Sequence, residues 1–335
     1  MTLPALNVAA LPDLLDYEGE FGAELVLFLP FCRWLSEAGL LKRRKISTYG
    51  GMRCFYQTLR CEEIVEKYVQ RCYVPPKRRP QWLPIRDEHT FDGLGNSAFH
   101  AFANLRSQFD GVNVKSVIGS GRPTLVIHNK HNDEWDRGPV NHIPLHVLDI
   151  LFARLKNQFE VVYVRHEAVA ERSFSADHNM PRPFADAEVL ACHPEVHRFE
   201  NLFARFRRRG GVDDVNTFKN ALFSGCYRFI SSQGGGAHHM SMFSGSLLVI
   251  LHQEGLETRW AYGDGYYGCL GPQAPARAIC TSPGELVDAA ALFRCSKVLN
   301  GRLELSSASR SRLESFSPWR FQPISGSASS VIFVR

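Results

Sequence analysis

The chain has 335 residues, of which 44% are hydrophobic and 22% are charged, and its formal net charge is +5. This is ordinary globular composition, and the length exceeds that of a usual single domain, so we expect two domains. The longest apolar run, Leu25–Pro30 followed by Phe31 and Cys32, is too short to span a bilayer, and the first residues lack the basic segment of a secretory signal. We therefore expect a soluble, cytoplasmic protein.

The cysteines and the basic runs argue against two further classes. Nine cysteines are scattered without a Cys-x-x-Cys pair, which favours reduced thiols over a disulfide framework or a metal site. Basic runs occur at Lys42–Lys45, Lys77–Arg79 and Arg205–Arg209. We interpret the first run as a solvated helix end and expect no specific nucleic-acid partner. Peripheral attraction to an anionic membrane surface stays open.

The N-terminal part predicts one helix and two strands. Glu24–Ala38 has the apolar content of a buried helix and follows the glycine-containing turn Gly19–Gly22. Arg44–Tyr49 and Arg71–Val74 are the strand candidates.

The middle of the chain shows a clearer pattern. Thr124–His128 is a continuous apolar run, Pro144–Gln158 carries apolar residues at helical spacing, and Glu160–Arg165 is apolar again. Strand, helix and strand in this order form a βαβ unit, which implies a parallel sheet. The pattern then repeats with a strand at Tyr227–Ser232, a tight glycine loop at Gly234–Gly236, a short helix at Ala237–Phe243 and a strand at Leu247–His252.

Local signals mark a helix start, a boundary and a tail. Ser282 and Glu285 form a capping-box pattern around Pro283. Glycines within Gly119–Arg122 interrupt the pattern before the strongest strand, so we divide the chain into residues 1–120, 121–305 and a tail of 306–335 that packs back on the core. Within the tail, Val331–Val334 is an edge-strand candidate.

The first motif with chemical potential is the glycine run. Gly234, Gly235 and Gly236 follow Ser232 and Gln233 at the end of a predicted strand, and His238 comes soon after. Glycines let the backbone approach a ligand closely, and backbone N–H groups at the start of a helix attract anions. A phosphate-binding loop and a plain tight turn both fit, since the run is neither GxGxxG nor a nucleotide triphosphate loop.

A second polar cluster follows the first strong strand. His128, Asn129, Lys130 and His131 end this strand, and Trp135 lies just beyond. In a parallel sheet, ligands bind outside the carboxyl ends of the strands, so we expect His128, Asn129 and Lys130 to face the same crevice as Ser232 and Gln233. Lys130 is suited to neutralise phosphate; ordinary use in a polar loop is the alternative.

The third motif is the acidic segment Glu18–Glu24. Glu20 and Glu24 stand beside glycines at the opening of a predicted helix. A carboxylate there can act as a general base if its surroundings raise its pKa. Acids at this position can equally complement the helix dipole.

Together these segments resemble the GT-B class of glycosyltransferases, particularly the group of bacterial heptosyltransferases and fucosyltransferase-like enzymes. In the heptosyltransferase pattern a catalytic acid stands six residues before a proline, and Glu24 precedes Pro30 by that spacing. The family has Asp at this position, and Ala23 replaces a glycine, so Glu20 competes for the role. Ser231–Gly236 is similar to the strand, loop and helix that hold the donor diphosphate in this class.

The resemblance implies an α/β fold with two Rossmann-like domains and a cleft between them. Residues 1–120 would then hold the acceptor, and residues 121–305 would hold a nucleotide-sugar donor. It implies no obligatory metal and no cofactor, since Lys130, His238 and a helix N-terminus can stabilise the leaving nucleoside diphosphate.

The sequence thus predicts transfer of a hexose or pentose from a nucleotide sugar to a glycan or lipid-linked hydroxyl acceptor, as in polysaccharide biosynthesis. A sugar-nucleotide epimerase or hydrolase of the same architecture stays an alternative, as does a non-catalytic polyanion-binding protein.

Overall fold

The computed structural model establishes an α/β fold with parallel sheets, as the sequence predicts. It describes residues 6–84, 99–102, 104–109, 111–112, 114–119, 121–133, 138–165, 182–211, 213–253, 275–316, 321–323 and 331–333. Within these ranges, a three-stranded parallel sheet occupies the N-terminal part and a six-stranded parallel sheet follows.

The N-terminal sheet has the order β1-β2-β3. Its strands are β1 (Leu14–Asp16), β2 (Lys45–Tyr49) and β3 (Glu63–Lys67). Of the two strands predicted here, Arg44–Tyr49 is confirmed and Arg71–Val74 is wrong. The third strand is instead the charged segment Glu63–Lys67, which lies at the edge of the sheet and lacks the apolar pattern of a buried strand. Arg71 is used elsewhere, in a buried ion pair.

The predicted N-terminal helix is confirmed, but it changes pitch along its length. It runs as α1 (Phe21–Ala23), a π-helical stretch (Glu24–Phe28) and α2 (Leu29–Glu37). Pro30 explains the change of pitch: it lacks an N–H, and in an α-helix its ring would collide with the carbonyl four residues earlier. A wider π turn before the proline relieves this collision.

The six-stranded sheet is doubly wound, with the order β6-β5-β4-β7-β8-β9. Its strands are β4 (Thr124–Asn129), β5 (Glu160–Arg165), β6 (His197–Arg198), β7 (Arg228–Ser232), β8 (Leu247–Leu251) and β9 (Ala276–Cys280). The chain starts at the centre and winds outward first to one side and then to the other. The direction switches between β4 and β7, and such a switch opens a crevice at the carboxyl ends of the two strands.

Helices cover both faces of this sheet. The described helices after the N-terminal helix are α3 (Arg53–Tyr56), α4 (Arg106–Phe109), α5 (Lys115–Ile118), α6 (Leu145–Leu155), α7 (Ala187–Cys192), α8 (Phe199–Arg208), α9 (Val215–Ser224), α10 (Gly235–Ser241), α11 (Pro283–Ala289) and α12 (Ser307–Ser315). Ser282 caps α11 by accepting the Glu285 N–H at 3.2 Å, while the Glu285 carboxylate binds the N–H of Thr281 at 2.7 Å. The predicted capping pattern therefore holds, with the carboxylate bond shifted by one residue.

Two apolar clusters lie on opposite faces of the large sheet. One includes Val126 and Phe229 and continues into the N-terminal helix through Leu25 and Phe28. The other includes Leu125 and packs on the outer face. Alternate residues of one strand thus enter different clusters, as expected for a sheet covered on both sides. The N-terminal elements share a core with the large sheet, and the boundary at 120/121 stays a prediction.

The C-terminal tail contributes to the outer cluster. Leu313 of α12 is 5% exposed and belongs to it. The predicted strand near the C-terminus is present as Val331–Phe333, but it pairs with Phe321–Pro323 in a two-stranded antiparallel sheet and extends neither larger sheet.

A buried arginine joins α4 to the segments that precede β7 and β8. The Arg106 guanidinium donates to the carbonyls of Ser224, of Cys226 (2.9 Å) and of Ser244 (2.9 Å). It also stacks on the Tyr227 ring at 3.8 Å from the ring centre. One cation therefore pairs several buried carbonyls that would otherwise lack partners.

We expect Arg106→Ala to lower the free energy of unfolding by about 3 kcal/mol or more, because it leaves these buried carbonyls unpaired. Urea denaturation measures this change. Arg198→Ala is the matched control: Arg198 pairs with Glu200 at the surface, and its loss should cost less than about 1 kcal/mol. Equal losses in the two variants would contradict the role of Arg106.

Candidate functional site

The end of β4 and the glycine run after β7 meet at the switch point of the large sheet. β4 pairs directly with β7, with His128 beside Ser231. A Cβ atom built on Gly234 would lie 2.7 Å from the Lys130 Nζ, so the amine of Lys130 rests against the backbone of Gly234. Gly234 has φ +106°, a conformation that disfavours other residues. The predicted proximity of Lys130 to the glycine run is confirmed.

The predicted loop at Gly234–Gly236 needs correction, because only Gly234 lies outside the helix. α10 begins at Gly235, two residues earlier than expected. Its first glycines are required by space: a Cβ on Gly235 would lie 2.8 Å from the Phe21 ring, and one on Gly236 would lie 2.3 Å from the His128 ring. These glycines let the N-terminal helix and β4 approach α10.

Two buried side chains at the end of β7 lack hydrogen-bond partners. Ser232 is 0% exposed and Gln233 is 1% exposed. Among the described residues, the Ser232 hydroxyl and both polar atoms of the Gln233 amide have no partner. Buried polar groups are normally paired, so unpaired ones at the mouth of a crevice indicate a ligand that pairs with them.

Asn129 has a structural contact of its own. Its amide donates to the Ile143 carbonyl at 3.1 Å and accepts the Ile143 N–H at 2.8 Å. Nearby, Asn141 accepts the N–H of Gln253, which follows β8, at 3.2 Å. Because β4 and β8 flank β7, the segment from Asn141 to Ile143 crosses the carboxyl end of β7. Direct contact of Asn129 with a ligand stays a prediction.

The N-terminal acidic loop reaches the same place through its last residues. Gly22 approaches α10, since a Cβ on Gly22 would lie 3.4 Å from the His238 ring and 3.6 Å from the Gly235 Cα. His238 itself is 3% exposed, and its carbonyl accepts the Ser241 hydroxyl at 2.6 Å. The three predicted motifs, from distant parts of the sequence, therefore converge on the first turn of α10.

Glu20 stands immediately before this contact. It occupies the N-cap position of the N-terminal helix, but its side chain makes no capping hydrogen bond. The loop around it is held by its backbone: the Glu20 carbonyl accepts the Tyr17 hydroxyl at 2.9 Å, and the Gly19 N–H donates to the Tyr49 hydroxyl at 3.2 Å. Glu18, the third acid of the segment, is exposed.

Glu24 is placed very differently, because it is 0% exposed. Its carboxylate accepts hydrogen bonds from Thr48 and from Tyr56 (2.8 Å) and forms an ion pair with the Arg71 Nη2 at 2.6 Å. Burial, and then the charge of Glu24, raise the pKa of Tyr56 well above its usual range, so Tyr56 remains a donor. Arg71 also donates to the Gly19 carbonyl at 3.2 Å, which links this network to the Glu20 loop.

A buried histidine of α10 packs against the N-terminal helix. His239 is 2% exposed, and its Nε2 hydrogen-bonds to the Asn220 Oδ1. Its ring contacts Phe21, Phe55 and Phe223, with ring centres 6.0, 5.1 and 5.0 Å away. Burial, and then the charge of Lys219, lower the pKa of His239 well below 6.5.

Several sequence expectations concern absences or lie outside the described residues. In the described ranges, no three His, Cys, Asp or Glu side chains cluster as metal ligands do. None of the helices described combines the length and the apolar character needed to cross a bilayer. Trp135 falls in a gap of the described ranges. The sequence did not indicate the role of Arg71, because no pattern in the residues around it points to that role. It did not indicate Ile143 either, because this residue contributes only its backbone groups.

No protein-family model matches the sequence, and a search of curated proteins found no match. Among solved structures, the chain is similar to E. coli ADP-heptose lps heptosyltransferase II, with a TM-score of 0.49 and 10% identity over 84% of this chain and 98% of that one. It is also similar to the family 9 glycosyl transferase from Veillonella parvula DSM 2008, with a TM-score of 0.43 and 10% identity over 86% of this chain and 90% of that one. Both likenesses concern the overall fold.

The buried His239 predicts a dependence of stability on pH. The folded-state pKa of His239 is lowered, so below about pH 6.5 the unfolded chain binds one more proton than the folded chain. The free energy of unfolding should therefore decrease as the pH is lowered through this range, by up to about 1.4 kcal/mol per pH unit. Urea denaturation between pH 7 and pH 5 measures the slope. His239→Gln should reduce the slope by this amount, while His146→Gln, at an exposed position, should leave it unchanged. Identical slopes in all three proteins would show that His239 titrates normally.

Proposed function

We propose that this protein is a glycosyltransferase that moves a sugar from a nucleotide-sugar donor to a hydroxyl acceptor. The observation that supports this most strongly is the convergence of the acidic N-terminal loop, Lys130 and the glycine turn at one end of a doubly wound sheet. Such a place combines a group that can take a proton with groups that can stabilise a leaving diphosphate. Glycosyl transfer by a single displacement needs both at once, on opposite sides of the reacting carbon.

On the donor side, Lys130 supplies most of the electrostatic stabilisation. Its amine lies against Gly234, where a diphosphate would contact both the cation and the backbone N–H groups of the turn. α10 has only seven residues, so its dipole adds less than the sequence suggests. The unpaired Ser232 hydroxyl and Gln233 amide add hydrogen-bonding groups beside it. Fixed charges of this kind stabilise a departing diphosphate without requiring a metal.

On the acceptor side, we assign the general base to Glu20. Glu20 is partly exposed. The next residue, Phe21, contacts Gly235, so Glu20 lies close to the glycine turn. Glu24 is fully buried and already bonded to Thr48, Tyr56 and Arg71, so an acceptor hydroxyl cannot reach it without disrupting this network. We therefore give Glu24 a positioning role: through Arg71 it holds the Gly19 carbonyl and thus the loop that carries Glu20.

The reaction then proceeds as a single exchange of bonds. Glu20 takes the proton of the acceptor hydroxyl while the oxygen of that hydroxyl forms a bond to the anomeric carbon of the donor sugar. The bond from that carbon to the diphosphate oxygen breaks, and the nucleoside diphosphate leaves with the electron pair, beside Lys130.

We expect Glu20→Gln to lower kcat by at least about a hundredfold and to change donor affinity by less than about threefold, because a base acts mainly in the transition state. Glu24→Gln should instead lower the free energy of unfolding by about 3 kcal/mol, since it leaves Arg71 buried without its counter-charge. Steady-state kinetics and urea denaturation of both variants separate the two roles. A stable Glu24→Gln protein that has lost turnover, beside an active Glu20→Gln protein, would reverse the assignment.

For the donor site, we expect a nucleoside diphosphate to bind in the presence of EDTA. Lys130→Gln should weaken this binding at least about tenfold, because a charge-assisted contact to phosphate is lost. Isothermal titration calorimetry measures both. Lys156→Gln is the matched control, because Lys156 pairs with Glu195 and lies away from the turn. Binding that needs Mg²⁺ or Mn²⁺, or that is insensitive to Lys130, would contradict the proposed donor site.

A further inference from the structure

Two buried tyrosine hydroxyls bind the backbone of the loop that carries Glu20. Tyr17 is 3% exposed, and its hydroxyl donates to the Glu20 carbonyl at 2.9 Å. Tyr49 is 2% exposed, and its hydroxyl accepts the Gly19 N–H at 3.2 Å. With the bond from Arg71 to the Gly19 carbonyl, three backbone groups of two consecutive residues are paired with side chains. The loop therefore cannot rotate its peptide groups without breaking a buried hydrogen bond.

These three side chains come from the carboxyl ends of the three strands of the N-terminal sheet. Tyr17 directly follows β1, Tyr49 is the last residue of β2, and Arg71 follows soon after β3. Both strand pairs are parallel, so the carboxyl ends lie along one edge of the sheet. Each strand thus contributes one polar group to the loop.

Packing fixes the two tyrosine rings independently of their hydroxyls. The Tyr17 ring stacks on the Phe28 ring, with ring centres 5.1 Å apart, and meets the Tyr49 ring edge to face at 6.4 Å. The Arg71 guanidinium lies over the Tyr49 ring at 4.0 Å from its centre, and the Lys67 Nζ lies 5.0 Å from the same centre. We therefore expect each ring to stay in place when its hydroxyl alone is removed.

The backbone at Gly19 is shaped around one of these hydroxyls. Gly19 has φ +145°, a conformation that favours glycine. A Cβ atom built on Gly19 would lie 2.6 Å from the Tyr17 hydroxyl oxygen. The hydroxyl can reach the Glu20 carbonyl only because the residue before it has no side chain.

We propose that Tyr17 and Tyr49 are positioning residues for the general base, an inference that rests on the proposed function. Both act through the backbone of the loop and need no contact with the substrate. A general base must lie within hydrogen-bond reach of its proton, and a misplacement of about 1 Å can cost about a hundredfold in rate. Phe21 anchors the loop against Gly235 on one side of Glu20, and the tyrosines anchor it on the other.

Tyr17→Phe and Tyr49→Phe test this inference, because each removes one hydroxyl and keeps the ring. UDP-glucose, GDP-mannose and ADP-glucose are offered separately, and release of the nucleoside diphosphate is measured with water in place of the acceptor hydroxyl. Each variant should lower kcat about tenfold and keep the KM for the nucleotide sugar within about twofold. Tyr163→Phe is the matched control, because its buried hydroxyl donates to Asp186 at 2.9 Å in another part of the fold. It should keep kcat within about twofold.

A double-mutant cycle separates positioning of the base from a general loss of structure. If the tyrosines act through Glu20, adding either substitution to Glu20→Gln should change kcat by less than about twofold, because no base is left to position. A structural defect would instead lower kcat by the same factor whether or not Glu20 is present.

The outcomes separate the inference from the proposed function. Turnover within about twofold of wild type in either tyrosine variant would overturn the inference and leave the proposed function standing. An equal loss in Tyr163→Phe, or a further tenfold loss in the Glu20→Gln background, would overturn it as well, because both indicate a structural role. If the wild-type protein releases no nucleoside diphosphate from any of the three nucleotide sugars, the inference and the proposed function fail together.

Discussion

The close approach of the N-terminal helix to α10 is the contact on which the site depends. Gly22 and Gly235 meet where neither residue has a side chain, and Phe21 fills the space that a Cβ on Gly235 would need. Only glycines allow two backbones this near one another. The contact fixes the acidic loop against the turn that carries Gly234, and the ring of His239 packs against the ring of Phe21. Any displacement of the N-terminal helix would therefore change the spacing between Glu20 and Lys130.

Two buried charge networks fix backbone segments, one beside this contact and one at the amino ends of β7 and β8. Arg106 binds carbonyls that precede β7 and β8, and Arg71 joins Glu24 to the loop before the N-terminal helix. Buried charges need full pairing, so each network tolerates few arrangements of the segments that it joins. The shared apolar core supplies the bulk of the stabilisation, whereas these networks define which backbone segments stand side by side. Directional contacts of this kind suit a site assembled from residues that lie far apart in the sequence.

The sequence predicted the elements of the large sheet well, because buried parallel strands are continuous apolar runs and α6 has a clear helical period. It also predicted that Lys130 would meet the glycine run, since carboxyl ends of parallel strands share an edge. It failed at Arg71–Val74, because the true strand Glu63–Lys67 is a charged edge strand. It could not show that Glu24 is buried in an ion pair, or that Tyr49 binds the acidic loop, because such contacts depend on tertiary structure alone.

The central claim is that one site, at the switch point of the large sheet, unites the acidic loop with the diphosphate-binding turn. A crystal structure of the protein with a bound nucleoside diphosphate tests it most directly. The account predicts diphosphate oxygens within about 3 Å of the Lys130 Nζ and of backbone N–H groups at the Gly234 turn, with Glu20 facing the open side of the terminal phosphate. A diphosphate bound elsewhere, such as at the basic run Arg205–Arg209, would contradict it.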